Sequence, residues 1–374
     1  MTPAAPPRPT CVAYYLGQFQ PTPENDAFWG AGFSEWHNVA RARPLFPGHR
    51  QPQLPGRLGF YDLRCGDTLA AQLEQAWSAG VDAFCHWHYW FAGRRLLHAP
   101  LDAMLREHPG PLRFMLGWAN ESWTGTWHGL GQKVLVEQTY SEAELDAHAQ
   151  LIARYIDSGR WLCLGGAGRA RYPFLIYKPR ALPDARRYLG RLRDRVRAAN
   201  GAELYLVGNW SPGLSSTFDR PDDLGLDAAV VTPVAALFAR RWQQALHGAA
   251  WRALRSLGLG PEVGAYRRVE ATLSRAVASV DGPAHASIVS GWDNSPRSGR
   301  RALVLGGYHE ASFRRAAAAA IALEQRQRLP LLFVKSWNEW AEGNVMEDRF
   351  GQDWSACQVL RELLGPRAAE APGS

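Results

Sequence analysis

Leu331-Leu332-Phe333-Val334 runs through Lys335-Ser336 into Trp337-Asn338-Glu339-Trp340-Ala341-Glu342-Gly343 near the end of the chain. The first four residues read as a buried strand, because a short unbroken apolar run fits a core strand. That strand stops in two carboxylates three residues apart, fenced by two indoles. A purely structural reading makes this a strand-to-helix turn whose glutamates serve helix N-terminal amides. A chemical reading makes it the end of a barrel strand, where barrels carry their reactive groups. Carboxylates supply the acid, base or nucleophile of glycoside cleavage, and indoles stack on the apolar faces of sugar rings.

Seven further runs resemble this one. They are Cys11–Phe19, Asp82–Phe91, Arg113–Asn120, Tyr172–Pro179, Glu203–Asn209, Leu226–Pro233 and His285–Asn294, and Pro330–Trp337 completes the set. Helical patterns separate most of them: Asp67–Ala79, Ser141–Ser158, Asp184–Ala199, Arg241–Leu257, Tyr266–Ser279 and Glu310–Arg326. The clearest is Ser141–Ser158, where Ser141 and Glu144 form a capping box ahead of the stripe Leu145, Ala149, Ile152, Ile156. Eight strands alternating with helices predict an α/β fold, a single-domain (β/α)8 TIM barrel. A doubly wound open sheet is the alternative, and no GxGxxG turn follows the first strand to support it. Gly165-Gly166-Ala167-Gly168 precedes a strand, so it reads as a turn and not a phosphate cradle. The barrel is expected over residues 11–364, after a disordered lead at 1–10 and before a disordered tail at 365–374. Two long loops, Gln20–Arg64 and Glu121–Tyr140, leave the C-terminal strand ends, the functional face of a barrel.

Composition narrows the function classes. The chain has 374 residues, 46% hydrophobic and 21% charged, ordinary for a soluble enzyme. No apolar run approaches the roughly 20 residues that span a bilayer, and the first ten residues carry no secretory apolar core. Five scattered cysteines without a CxxC pair fit reduced thiols in a cytoplasm. Cys11 and Cys85 sit inside apolar runs and read as core filler. The net charge is +7, and all but Lys133, Lys178 and Lys335 of the 42 basic residues are arginine. The arginines are dispersed, which argues against a nucleic-acid partner. The charge permits a weak peripheral attraction to an anionic membrane surface or glycan.

Polar and aromatic residues collect at the strand ends. Gln18 closes the first run, and Glu35, Trp36 and Asn38 lie in its loop. His86, Trp87, His88, Tyr89 and Trp90 close the second. Trp118, Asn120, Glu121 and Trp123 follow the third, Lys178 the fourth and Asn209 the fifth. Trp292, Asp293 and Asn294 follow the seventh, and Trp337, Asn338, Glu339, Trp340 and Glu342 the eighth. Each alone fits a solvated loop or a half-buried ring. Together they predict an aromatic-lined polar cleft holding an oligosaccharide or polysaccharide. Two acid pairs are open: Glu339 with Glu342, or Glu339 with Glu121 across the barrel, in the manner of retaining glycosidases. His86 and His88 share one side of their strand, but the fifth and sixth strands end in Asn209-Trp210 and Thr232-Pro233, without the histidines that a metal amidohydrolase would add. No metal or other cofactor is expected, and the two imidazoles are assigned to sugar hydroxyls.

Ala13–Pro55, Gly59–Arg64, Phe84–Leu97, Trp118–Gly129, Phe174–Pro179, Gly291–Val304 and Ser336–Asp348 resemble, in order, the WbsX-type proteins of bacterial surface-polysaccharide clusters. These are similar to glycoside hydrolase family 99, the endo-α-mannosidases. The resemblance spans Cys11 to Leu364 and is weakest from Val234 to Gly282. It implies a (β/α)8 barrel and a retaining enzyme acting on mannose-like glycosidic bonds of a bacterial surface polysaccharide such as O-antigen. It also implies roles for the NEWxEG segment. Glu339 would deprotonate the sugar 2-hydroxyl to form a 1,2-anhydro sugar, and Glu342 would serve as acid and then base. Family segments carry an aromatic or imidazole residue where this chain has Ala341. Two alternatives stand beside a hydrolase or transglycosylase: a glycosyltransferase of lipopolysaccharide or capsule biosynthesis, and an inactive glycan-binding barrel.

Overall fold

The computed structural model describes residues 7–124, 134–165, 170–211, 217–238 and 260–367. Eight parallel strands close into a barrel. In chain order they are β1 (Thr10–Tyr15), β2 (Ala83–Phe91), β3 (Arg113–Trp118), β4 (Arg171–Ile176), β5 (Glu203–Trp210), β6 (Ala228–Val231), β7 (Ala284–Val289) and β8 (Leu331–Lys335). Each pairs with the next in sequence, and β1 pairs with both β2 and β8. Closure leaves no sheet edge unpaired and rules out the doubly wound alternative. All eight expected runs are strands, with ends shifted by a few residues. Their apolar continuity follows from burial on both faces.

Helices pack outside the barrel: α1 (Gly66–Ser78), α2 (Ala99–Glu107), α3 (Glu142–Asp157), α4 (Ala185–Asn200), α5 (Val269–Ala278), α6 (Glu310–Glu324) and α7 (Ala356–Leu364). The capping box of α3 forms as expected, with Ser141 N–H donating to Glu144 and Glu144 N–H to Ser141 Oγ. The expected helix Arg241–Leu257 lies outside the described residues, as does most of the Gly165–Gly168 turn. Two of these seven helices were not expected. α2 buries only Pro100, Leu101 and Met104, too few positions to establish a period. α7 carries a readable stripe of Ala356, Val359, Leu360 and Leu364, but it follows the last strand, where no further strand demanded a connection. Among the described residues no helix is long and apolar enough to cross a membrane.

Side chains alternate along each strand, and this decides what reaches the mouth of the barrel. On β2, Trp87, Tyr89 and Phe91 line the central cavity. His86, His88 and Trp90 face the other way, toward the helices and their rings. Register carries the same parity to neighbouring strands, pairing His86 with Tyr15 and His88 with Trp118.

The long connections have structure of their own. Gln20–Arg64 holds the short helices Pro23–Trp29 and Trp36–Ala40 and packs Trp36 on Phe19 and Tyr61. After β3, Trp123–Thr124 pairs antiparallel with Val134–Val136. β2 continues into a hairpin through Arg94–Leu96. At the opposite end of the barrel, Arg8 and Arg367 both reach Asp82, at 2.8 and 3.1 Å. The remainder of the expected lead and tail, residues 1–6 and 368–374, lies outside the described residues.

Candidate active site

A cavity of about 330 Å3 occupies the C-terminal mouth of the barrel. Its floor is aromatic. Trp87 stacks on Tyr14 with ring centroids 5.2 Å apart and meets Tyr177 edge-on at 5.3 Å. Gly117 on β3 makes room for that indole. A Cβ there would sit 3.0 Å from Cys85 Sγ and 3.5 Å from Trp87 Cε3. Gln18, Glu35, Tyr89, Glu121, Trp123, Asn209, Trp292 and Asn294, all expected at the site, line the same cavity with Glu339 and Glu342.

The NEWxEG segment is held from behind. Asn338 clamps it to the end of β1, donating to Leu16 O at 3.0 Å and accepting from Leu16 N–H at 2.8 Å. Asn338–Glu339 pairs with Asn344–Val345, and a single turn over Trp340–Glu342 presents both carboxyls. Gly343 closes that turn at φ +63°, where a Cβ would lie 2.9 Å from Asp293. The left-handed conformation and the close approach both demand glycine.

Two cations organise three buried acids. Arg297 Nη1 lies 2.7 Å from Glu342 Oε1 and 3.9 Å from Glu339 Oε2, and Nη2 lies 3.2 Å from Glu35 Oε2. Lys335 Nζ lies 3.4 Å from Glu339 and 3.6 Å from Glu342. Trp87 Nε1 donates to Glu339 Oε1 at 2.9 Å. Burial pushes the Glu339 pKa up, but Lys335, Arg297 and the Trp87 N–H outweigh it and hold the carboxyl below the usual carboxylate range. Burial and the charge of Glu339 push Glu342 above that range, with the same two cations only partly offsetting them. Neighbouring carboxyls split in this way mark one as base and the other as acid. Burial, then the nearby Glu339, keeps the Tyr89 phenol protonated as a donor.

Several expected ligands lie elsewhere. Trp337 and Trp340 are 0% and 1% exposed, so they are anchors and not sugar platforms. Trp340 Nε1 donates to the buried Glu347 at 2.7 Å. Trp36 is likewise buried, donating to Tyr61 O. His86 packs on Tyr15 and Phe84. His88 Nε2 lies 3.0 Å from His148 Nε2 of α3. Burial pushes His86 and His88 down to about 3, so both are neutral and neither faces the cavity. Trp118 is buried between His148 and Tyr188. Asn120 is a latch, bridging the main chain of Lys178 in both directions at 2.7 and 2.8 Å. It sets Lys178 beside Glu121, and the two form an ion pair at the rim. Asp293 faces a neighbouring cavity, where His49 and Gln51 reach its Oδ2 at 2.7 and 2.6 Å.

Sequence reading passed over Tyr14, Tyr177, Arg297 and Lys335 as site residues, and placed Trp87 at a strand end without giving it a role. Lys335 carried a signal, as one of three lysines, placed four residues before Glu339. Trp87 carried another, since it alternates with the two histidines. Among the described residues, no three His, Cys, Asp or Glu side chains gather as a metal site would require.

Solved structures share this architecture. A glycoside hydrolase-like protein aligns with a TM-score of 0.60 at 14% identity, covering 96% of this chain and 95% of that one. A GH99 endo-alpha-mannosidase from Bacteroides thetaiotaomicron, in complex with bis-tris-propane, gives 0.55 at 12% identity over 95% of both chains. At these identities the likeness is one of fold. WxcX of Xanthomonas campestris pv. campestris is 36% identical over 397 residues, covering 96% of this chain and 52% of that protein. The chain thus spans about half the length of the curated relatives it matches. Residues 11–356 match the family described as glycosyltransferase WbsX, and the chain belongs to that family.

Proposed function

We propose that this barrel is a retaining carbohydrate-active enzyme that cleaves or transfers mannose-like glycosidic bonds of a bacterial surface polysaccharide. The observation that carries the reading is the arrangement of the adjacent carboxyls around Lys335 and Arg297, which sets Glu339 below and Glu342 above the usual carboxylate range. Both carboxyls rest on one turn and share Arg297 and Lys335, whereas a double-displacement pair flanks the scissile bond. That arrangement favours attack by the substrate's own hydroxyl. Glu339 takes the proton of the 2-hydroxyl, whose oxygen bonds to the anomeric carbon. Glu342 gives its proton to the departing glycosidic oxygen, leaving a 1,2-anhydro sugar. Glu342, now a carboxylate, deprotonates water or an acceptor hydroxyl, which opens the anhydro ring. Glu339 returns its proton to the sugar oxygen, and configuration is retained. The pair carries one negative charge before and after each step, because one carboxyl gains a proton as the other loses one, so Arg297 and Lys335 meet the same summed charge throughout. Glu121, neutralised by Lys178 at the rim, orients sugar hydroxyls in this scheme.

The family's description favours a second reading, in which the acceptor is a growing glycan and not water. Cytoplasmic polysaccharide assembly fits it, and all five thiols are free. Mass spectrometry of mannose-configured oligosaccharides incubated in 18O-water, with and without an acceptor sugar, separates the two. One labelled oxygen at the new reducing end means hydrolysis, and an unlabelled longer product means transfer. Binding without turnover under every condition would make the chain a glycan-binding barrel, and an inverted first product would exclude the anhydro route.

A further inference from the structure

A second cavity, of about 1160 Å3, adjoins the first, and Trp292 lines both. Its wall shares the segment that presents the carboxyl pair, because Gly343 follows Glu342 directly and also lines the second cavity. Tyr308, Trp354 and Phe350 supply further aromatic surface. Phe350 is 76% exposed at the edge, a large apolar side chain left in water. Arg349 lies among them, its guanidinium 5.1 Å over the Tyr308 ring. Its Nη2 donates to the carbonyls of Ser290, Gly343 and Val345 at 3.2 to 3.3 Å. No carboxylate lies within ion-pair distance of it among the described residues, and its Nε has no acceptor. Asp293, whose charge acts on Arg349 from beyond ion-pair distance, already takes His49 and Gln51 on one oxygen and the Ser295 N–H on the other. The Tyr308 hydroxyl is also buried without a partner. A desolvated cation without a counter-ion is costly unless a ligand supplies one.

We propose that this cavity binds a carboxylate-bearing saccharide unit, its acid set against Arg349 and its ring faces against the aromatic walls. Arg349, the partly buried guanidinium that lacks an acid partner, balances one negative charge, and Arg50 lines the same cavity from an exposed position. A carboxylate carries one, and a phosphate monoester exceeds it. Charge-assisted bonds of this kind are about twice as strong as neutral ones, so the acid sets selectivity while the aromatic walls add affinity without regard to charge.

The test reads binding alone and is therefore independent of the proposed chemistry. The Glu339→Gln protein is titrated calorimetrically with mannuronate and galacturonate trimers, neutral mannotriose and mannose 6-phosphate. At least one uronate trimer is expected to bind about tenfold tighter than mannotriose, and Arg349→Gln is expected to abolish that preference. Arg349 also ties three carbonyls, so its variant can lose structure. Phe350→Ser, at an exposed position, avoids that problem and is expected to weaken acidic and neutral trimers alike about threefold. Hydrogen exchange should show protection at 305–309 and 349–354 when the uronate binds. Equal affinity for acidic and neutral trimers overturns the proposal. So does an acid preference that survives a folded Arg349→Gln protein, protection confined to the first cavity, or mannose 6-phosphate matching the uronates.

Discussion

Glu339 and Glu342 differ by what their charges meet, and that difference predicts two unlike variants. Glu342→Gln replaces a carboxyl whose raised value favours the neutral form, so the thermal midpoint should move less than in Glu339→Gln. Glu339→Gln removes a paired buried charge and leaves Lys335 and Arg297 facing one another. That variant should lose about 3–5 kcal/mol in denaturant unfolding. Both should lose turnover by roughly 100-fold or more, the scale of a positioned acid or base. The active form needs Glu339 ionised and Glu342 protonated. Rate therefore falls as pH drops through the lowered Glu339 pKa and as pH rises through the raised Glu342 pKa. Lys335 lowers both, so Lys335→Met should move both limbs of the pH–rate profile upward. Limbs that stay in place would show that Lys335 does not tune the pair. A 2-deoxy substrate turned over at the normal rate would remove the role given to Glu339. At this scale the sequence disclosed the reactive pair, because two acids at a strand end have few structural uses. It did not disclose Arg297, which reaches the pair only after Asp293 N–H bonds Glu342 O at 2.7 Å and draws the β7 loop over the site.

The elements were legible where their pattern was long and the choice of face was not. All eight strands announce themselves as apolar runs, yet period two says only that His86 and His88 oppose Trp87 and Tyr89. Which pair points inward depends on what waits on each side. α3 offers His148 to stack with His88 and Trp90, and Gly117 offers a gap for Trp87. That gap is testable. In Gly117→Ala the new Cβ meets Cys85 Sγ at 3.0 Å and Leu175 Cδ2 at 3.1 Å. Overpacking of this kind costs about 1–3 kcal/mol. It should also push the Trp87 indole off Glu339, lowering turnover more than the stability loss explains. Unchanged turnover in a folded Gly117→Ala protein would mean that Trp87 does not hold the base. The same facing explains why chelation should be harmless. The HxH pair is neutral and turned to the helices, and Arg297 and Lys335 supply the positive charge at the cavity. Activity lost on dialysis against a chelator and restored by stoichiometric zinc would contradict this.

Barrel order could be read at the scale of the whole chain, but the contacts that join its distant parts could not. Glu347 shows why. It receives Tyr61 from the first insertion at 2.9 Å, Gln72 from α1 at 2.6 Å and Trp340 from the carboxyl-bearing turn at 2.7 Å. Tyr61 and Gln72 lie 286 and 275 residues from it in sequence. In sequence it is one glutamate in a polar stretch. In the fold it ties insertion, helix and turn together behind the active site. Burial pushes its pKa from 4.5 to about 7, against those hydrogen bonds. A raised carboxyl pKa means that the fold favours the protonated form. Its contribution is complete below the unfolded value, declines as pH rises from about 4.5 to about 7, and is then lost. The loss across that window is on the order of 3 kcal/mol as an upper bound. Glu342 acts in the same direction, while Glu339 and Asp293 act oppositely, with lowered values. The wild-type curve alone therefore mixes these groups with His86 and His88, whose lowered values add stability as pH rises toward 6.5, and the difference from a Glu347→Gln protein isolates one. The amide stays neutral at every pH, so the stability difference between the two proteins should slope across pH 4.5 to 7 and be flat outside it. Denaturant unfolding at half-unit pH steps measures that difference, and parallel curves through the window would show that Glu347 carries no proton into the fold.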